Sequence, residues 1–380
     1  MKITIIGGGP AGLYFARLMK RRDPQHDILV VEQNSQDATY GFGVTLGGPA
    51  RARMKAADPE VHDRLAATMV FNNKQNICLD DQSVLLEYAS AGGAIERLNL
   101  LRILQRCCLD VGVRLKHGDR VTSLDAYADS DLIVGADGVN SVVRSLHAEA
   151  FGTHSYYLKN HFAWYGVGRA MKPNALVFRH TDTGVFIAHY YTYMPMMSTF
   201  VAECDEAAWR DSGFESATDE QRRARIEEVF APELAGDPLI DNKSMWRNFN
   251  VITNERWTFG NIVLLGDALR SAHFSIGSGT RLAMDDAFAL AEAFTAGGDD
   301  VPGALRRYVE IRKPIRDQFG TAAERSFNWY EKIRGPMEKP VMDFAYDFLT
   351  RTGRVDDVRL KSYAPSFFER YQQYRPRTSA

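Results

Sequence analysis

The 380-residue chain carries 46 Lys and Arg against 48 Asp and Glu, a net charge of −2, so it offers no cationic footprint for nucleic acid or an anionic membrane. Its 45% hydrophobic and 25% charged residues are ordinary for a soluble protein with material for about two domains, and it holds no apolar run of about 18 residues to cross a bilayer. Cys78, Cys107, Cys108 and Cys204 include no C-x-x-C pair, and the N-terminus is strand-like rather than a signal peptide, so a reduced cytoplasmic protein is expected.

Residues 2–6 are a short β-rich run, followed by GGGPAG, an apolar-periodic stretch through Leu18 and then DILVVEQ: strand, glycine turn, helix, strand. Gly7, Gly9 and Gly12 spell G-x-G-x-x-G, with Pro10 and Ala11 opening the helix between them. The first glycine permits a tight turn, the second lets backbone approach a pyrophosphate, and the third allows close helix–strand packing. Glu32 ends the second strand 20 residues after Gly12, where an acid accepts hydrogen bonds from an adenosine ribose, and Gln33 follows it. The glycines alone are a weak signal; with strand, helix, strand and acid in order they predict a dinucleotide site.

A second helix is predicted over Leu98–Leu109, then VRLKHG and a buried strand, DLIVG, ending in a glycine turn. From Phe162 to about Glu203 the pattern changes: VFIAHYYTYM and MSTFVAEC read as neighbouring antiparallel strands of a second unit. His189, Tyr191 and Tyr193 alternate on one face of such a strand, where core filling is favoured over substrate contact; Trp164 and Tyr165 carry the same ambiguity. Nucleotide-type patterning returns at NIVLLGDA (261–268), and a long amphipathic helix runs from about Gly279 to Ala296. Asp285 and Asp286 are consecutive on that helix and cannot face each other as a catalytic pair, so a solvated or capping role is expected. The rest reads as helices and aromatic-rich loops serving mainly for packing. No metal-ligand spacing and no G-x-S-x-G elbow occurs.

DGVNSVVR (137–144) resembles the D-G-x-x-S-x-x-R segment of the class A FAD-dependent aromatic hydroxylases, LLGDA (264–268) resembles their second FAD motif, and Arg97 in IERLNLL matches an arginine they hold near the flavin. The resemblance spans roughly residues 1–310 with the motifs in order. It implies an α/β fold: a Rossmann-like FAD-binding domain (1–70, 91–155 and 245–296), an inserted antiparallel-sheet substrate domain (71–90 and 156–244) and a helical C-terminal region (297–380). It also implies FAD, held by the glycine turn, Glu32, Gln33, Arg97, Asp137, Gly266 and Asp267, with Asp267 on the ribityl chain. NADPH or NADH is the implied reductant and O2 the oxidant, through a flavin C4a-hydroperoxide.

Many members have Arg where this chain has Gln33, and proline after GDA where it has His273 and Phe274. That variant, GFGVTL (41–46) and the stretch from HFAWYG to MSTFVAEC are similar to the salicylyl-CoA and 2-aminobenzoyl-CoA hydroxylases and to the violacein-pathway hydroxylases. GSGTRLA (277–283) looks like a second dinucleotide fingerprint but opens no fresh βαβ unit; its Gly277, Gly279 and Thr280 are expected instead to bring backbone N–H groups to the flavin. His273, in the altered loop, is the candidate catalytic residue. The implied substrate is an aryl-CoA thioester or a free indolic or phenolic metabolite, with no nucleic acid or membrane partner and a monomer or homodimer expected. The competing readings are an FAD dehydrogenase or oxidase without oxygen insertion and a non-enzymatic flavin-binding redox sensor. A flavin halogenase is disfavoured because no two tryptophans stand two residues apart.

Overall fold

The computed structural model describes residues 1–38 and 41–378. The first strand, Lys2–Ile6, lies at the centre of a six-stranded sheet whose order is Thr258–Phe259, Ile262–Leu264, Leu132–Gly135, Lys2–Ile6, Asp27–Glu32 and Arg114–His117. All neighbours pair in parallel except the edge strand Thr258–Phe259. Parallel strands need crossovers that cover both faces, which is why KITII, DILVVE and LIVG are almost continuously apolar. The helices Pro10–Arg22, Arg97–Asp110 and Gly279–Gly297 pack on this sheet, with Phe15, Leu104 and Leu290 fully buried.

A second, nine-stranded sheet is antiparallel apart from one parallel pair, Val70–Leu79 with Asn174–His180. Its centre is Val185–Met194 paired with Met197–Cys204, the two strands that alternation in the sequence marks as neighbours. One face packs Phe186 and Phe200 against Phe214 and Phe230; the other packs Ile187 and Phe178 against Tyr330, Phe344 and Phe348 of the C-terminal helices. The aromatic C-terminal segments are therefore core. The strand Gln82–Glu96 runs without a break through residue 90, and Arg247–Asn254 pairs with Thr153–Val167 in the large sheet. No helix among the described residues is long and apolar enough to cross a membrane.

Asp286 corrects the sequence expectation of a solvated or capping role. In the helix Gly279–Gly297 it shares the buried stripe of Leu282, Leu290 and Ala293, and its side chain has no exposure. Its Oδ1 accepts a bond from Arg312 Nε at 2.6 Å, and its Oδ2 accepts the Gly266 N–H at 3.2 Å and lies 3.4 Å from Arg316 Nε. Arg316 in turn donates to the carbonyls of Gly266 and Arg270. Adjacent Asp285, on the rim, pairs with Arg53. A local rule about consecutive acids does not see the helix Val301–Glu331, which supplies both buried cations.

Removing Asp286 strands two buried guanidiniums. Asp286→Ala is expected to lose about 3–5 kcal/mol of stability, read as a lower urea midpoint with unchanged secondary structure in native buffer.

Candidate flavin cleft and aromatic pocket

At Gly7, with φ +109°, a Cβ would lie 2.3 Å from the Ala136 carbonyl oxygen, and at Gly12 it would lie 2.2 Å from the Gly7 carbonyl, so neither position accepts a side chain. Gly9 differs: its nearest neighbour would be Ala136 O at 4.0 Å, which leaves the space above it free. Gly9 is also the N-cap of Pro10–Arg22 and brings no side-chain acceptor to the first helical N–H groups. An open approach above uncapped N–H groups, with Pro10 and Ala11 in the first turn, suits a phosphate.

Glu32 is fixed beside this turn: Oε2 accepts the Gly8 N–H at 2.8 Å, and Oε1 accepts the Asn34 N–H at 2.8 Å. Gln33 is exposed next to it. Asp137 follows the adjacent strand; its Oδ2 accepts Val142 and Val143 N–H groups, whereas Oδ1 is buried with no partner. Burial raises the Asp137 pKa against the pull of its hydrogen bonds. An orphaned acceptor beside a glycine turn is what a polar ligand satisfies. Arg144 ties this segment to the GDA turn by donating to Ala268 O at 3.0 Å.

Gly266 turns the chain at φ +59°, and Asp267 follows it. Asp267 keeps solvent-accessible surface although protein encloses it; burial raises its pKa, opposed first by Arg316. Arg97 is enclosed in the same way: burial lowers its pKa, while Asp267 and Glu32 oppose that shift. His189, Tyr88 and Arg351 share the combination of retained surface and enclosure. Groups with both properties line a deep cleft, neither core nor outer surface. The Thr45 hydroxyl donates to Gly277 O at 3.3 Å, joining strand Gly43–Leu46 to the loop where Gly277, Gly279 and Thr280 lead into the helix Gly279–Gly297, whose N-cap gives no side-chain bond.

Beyond this loop stands a cage of rings. Phe274 lies 4.7 Å from Phe162 and 5.8 Å from Trp164, and His273 lies 4.3 Å from Phe274 and 4.6 Å from Phe249. Trp164 thus faces the cage, while Tyr165, on the other face, accepts a bond from Trp246 in the core. Tyr191 and Tyr193 are buried, with Tyr191 Oη donating to Gly43 O, and His189 keeps surface in the cleft.

His273 is buried, and its Nδ1 accepts the Ser275 N–H at 3.2 Å and meets Ser275 Oγ at 2.8 Å. An acceptor at Nδ1 places the ring proton on Nε2. Burial, with Arg351 second, pulls the pKa down to about 3, so the ring is neutral at physiological pH. Arg351 is a cleft residue that sequence reading missed. It donates to Ser275 O, Ser326 Oγ and Phe348 O and has no carboxylate partner among the described residues. Nothing in its local sequence marks it; only folding brings it under the loop.

A family model described as an FAD binding domain matches residues 110–323, and one described as an NAD(P)-binding Rossmann-like domain matches residues 5–40. A salicyloyl-CoA 5-hydroxylase from Streptomyces sp is 37% identical over 93% of this chain and 70% of its own length. A 3-hydroxy-4-methyl-anthranilyl-[aryl-carrier protein] 5-monooxygenase from Streptosporangium sibiricum is 36% identical over 93% of this chain and 95% of its own. Protodeoxyviolaceinate monooxygenase from Chromobacterium violaceum is 33% identical over 96% of each chain. Among solved structures, 2-methyl-3-hydroxypyridine-5-carboxylic acid oxygenase superposes with a TM-score of 0.73 at 19% identity over 95% of each chain. P. aeruginosa PqsL in complex with 2-aminobenzoylacetate gives 0.70 at 19% identity, over 92% of this chain and 100% of its own. The fold and the glycine cradle define an FAD-binding protein with a Rossmann-like nucleotide unit. The chain belongs to the FAD-dependent aromatic hydroxylase family.

Two outcomes follow for this cleft. Losing a charge-assisted hydrogen bond costs about 1.5–3 kcal/mol, roughly tenfold to a hundredfold in affinity. Glu32→Ala and Asp267→Ala should each weaken FAD by that factor in equilibrium titration of apoprotein; unchanged affinity in both would remove these residues from the flavin site. The second outcome concerns pH. The folded pKa of His273 lies below its unfolded value, so its stability contribution is complete above about 6.5 and is lost as pH falls from there toward about 3. Melting temperatures measured from pH 7 to 4 should fall in the wild type and fall less steeply in His273→Asn, whose side-chain oxygen replaces the Nδ1 acceptor.

Proposed function

We propose that this protein hydroxylates an aromatic ring, using FAD, NAD(P)H and O2, with the reacting ring held in the cage of Phe162, Trp164, Phe249 and Phe274 beside His273. The observation that carries this reading is the placement of three features together. They are the open Gly9 turn, the recessed Asp267 and Arg97 whose charges act on each other, and the ring cluster around His273 and Phe274, which begins six residues after Asp267 on the same loop. One extended ligand can therefore lie on the polar part with its ring toward the apolar part.

The uncapped helix start at Gly9 would hold the pyrophosphate, Glu32 the adenosine ribose and Asp267 the ribityl chain. Arg97 and the backbone at Gly277, Gly279 and Thr280 would lie beside the ring system. FAD, when bound, supplies hydride acceptance and oxygen activation. The chain supplies position and dryness: the aromatic side chains exclude water and keep the substrate ring near the reactive end of the cofactor. His273 acts as a neutral residue. Its Nδ1 holds Ser275 and so fixes the loop, and its Nε2–H is the donor left for a substrate oxygen. The sequence segments 1–70, 91–155 and 245–296 serve chiefly the cofactor, with Phe249, His273 and Phe274 of the last reaching the substrate ring, 71–90 and 156–244 serve the substrate, and 297–380 closes the cleft. The substrate is a small aromatic molecule, free or as an acyl thioester, the two classes named among the relatives, and the protein works in the cytoplasm.

The test is an NADH and NADPH oxidation screen over aromatic acids, phenols, indoles and aryl thioesters, with mass detection of a gain of one oxygen atom. Oxygenated product is the expected result. Hydrogen peroxide without product across the whole screen would favour an oxidase, and no reduced-nucleotide oxidation a sensor. With a substrate found, His273→Ala should retain FAD but lose coupling on the order of 10²-fold, the missing product appearing as hydrogen peroxide. His273→Asn should restore part of that coupling.

A further inference from the structure

Behind the cage a chain of side chains from three separate segments reaches His273. Arg351, at the end of the helix Val341–Thr350, donates from Nε to Ser326 Oγ at 3.0 Å. Ser326, on the helix Val301–Glu331, has its Oγ 2.8 Å from Ser275 Oγ. Ser275 Oγ lies 2.8 Å from His273 Nδ1, and the Ser275 backbone N–H reaches the same nitrogen at 3.2 Å.

The direction of every bond in this chain is settled from its two ends. A guanidinium only donates, so Ser326 Oγ accepts from Arg351. A backbone N–H only donates, so Nδ1 is the ring nitrogen without a hydrogen. A hydroxyl oxygen 2.8 Å from such a nitrogen turns its hydrogen toward it, because two lone pairs would otherwise face each other. Ser275 therefore points its one hydrogen at Nδ1, and Ser326, for the same reason, points its one hydrogen at Ser275 Oγ. All donors run one way, from Arg351 to His273. The ring hydrogen is left on Nε2, which has no partner among the described residues, and His273 keeps 4% of its surface.

This arrangement resists protonation of Nδ1. An added proton there would break the Ser275 hydroxyl and backbone bonds together, and the backbone N–H cannot turn away. The other neighbours of the ring carry no charge: Phe249 comes from the strand Arg247–Asn254, Phe327 from the helix Val301–Glu331 and Phe274 from the loop itself. Arg351 is the charged group that acts on the ring, and it acts in the same sense as burial. It is itself enclosed, has no carboxylate partner among the described residues, and gives its other bonds to Ser275 O and Phe348 O. A positive charge at the head of the chain polarises each hydroxyl toward the next. The chain is not a proton wire, since a guanidinium has no lone pair with which to take a proton.

We propose that Arg351 and Ser326 are positioning residues that hold His273 as a neutral imidazole with its hydrogen on Nε2, so that it serves the cage as a fixed hydrogen-bond donor and not as an acid or base. The hold is a property of the folded chain; its catalytic consequence rests on the hydroxylase reading above and deepens it. The substrate atom placed against His273 must accept a hydrogen bond, as a carbonyl, carboxylate or phenolate oxygen does, and an aromatic N–H at that point would meet a second donor.

The test uses the FAD-loaded full chain with nitrogen-15 histidine, as wild type and as Ser275→Ala, Ser326→Ala, Arg351→Gln and Arg351→Lys. Flavin absorbance and melting temperature report that each is folded. Proton–nitrogen correlation spectra from pH 8 down to 5 give the tautomer and protonation state of each ring, and the signal missing from His273→Asn assigns the residue. Wild-type His273 should show the Nε2–H tautomer and stay neutral throughout. Its Nδ1 resonance should move toward that of an unbonded ring nitrogen in Ser275→Ala, part of the way in Ser326→Ala and Arg351→Gln, and less in Arg351→Lys, which keeps the charge and a donor. Adding Ser326→Ala to Ser275→Ala should move it no further. A hydrogen on Nδ1, an imidazolium within this pH range, or an Nδ1 resonance identical in wild type, Ser326→Ala and Arg351→Gln overturns the proposal. With a substrate found, Ser326→Ala should lower product formed per NAD(P)H oxidised about fivefold, and should lower it no further when His273 is already Ala. An independent loss in that double variant would place Ser326 outside the action of His273 and overturn its positioning role. Failure to oxygenate any compound, with the expected tautomer and shifts in place, defeats the hydroxylase reading alone.

Discussion

The carboxylate of Asp286 governs the geometry of the cleft. It is removed from water and answers two arginines from a neighbouring helix while accepting the backbone N–H of Gly266. A buried ion pair gains little net stability over apolar packing, but it has one good geometry and is costly to break. Here that geometry sets where the GDA turn lies, because Arg316 also grips the carbonyls of Gly266 and Arg270. Asp267 is the next residue along, so a buried charge network fixes a side chain that faces the cleft. Arg316 is also the first of the groups that oppose the rise in Asp267's pKa, which couples the same network to the charge of the site.

The two sheets divide the remaining work according to their topology. The parallel sheet ends in loops at the carboxyl ends of its strands, and the Gly7 turn, Glu32 and Asp137 all lie there, as ligand sites in such sheets do. The antiparallel sheet has two covered faces, and one of them carries Phe162, Trp164 and His189 toward the cleft. Joining them are the strand Gly43–Leu46, which belongs to the large sheet yet hydrogen-bonds the loop before the helix Gly279–Gly297, and Asn254 at the end of the large-sheet strand Arg247–Asn254, whose side-chain amide donates to Leu269 O just after the GDA turn. The pocket is electrostatically uneven. Burial lowers the pKa of His189 to about 4 and of His273 to about 3, so both are neutral, while Arg351, whose charge acts on both, has no carboxylate against it among the described residues. A dry, neutral cage beside a cationic rim favours an apolar ring attached to an anionic or strongly polar group.

Local patterns were legible where the physics is local. Alternation over VFIAHYYTYM and MSTFVAEC is a property of strands and paired as expected, and the 3.6-residue period through the helix Gly279–Gly297 set its extent within a residue. Asp286 was misread because a consecutive acid pair looks alike on an exposed face and a buried one; the difference is a helix that begins 15 residues later. Arg351 left no local trace because its role depends on Ser275, 76 positions earlier in the chain. His273 stood out from its place after GDA, but its neutrality comes from Phe249, Phe274 and Phe327 around it, which no spacing reveals.

The sequence by itself determined the dinucleotide turn, because Gly7, Gly12 and Glu32 answer steric and hydrogen-bonding demands within one βαβ unit, and it determined the order of the motifs that mark the family. Only the tertiary structure decided which charges are buried, which rings meet as a cage and where the arginines gather. Those depend on contacts between segments tens to hundreds of residues apart, and desolvation and Coulomb energy follow distance in space, not distance along the chain.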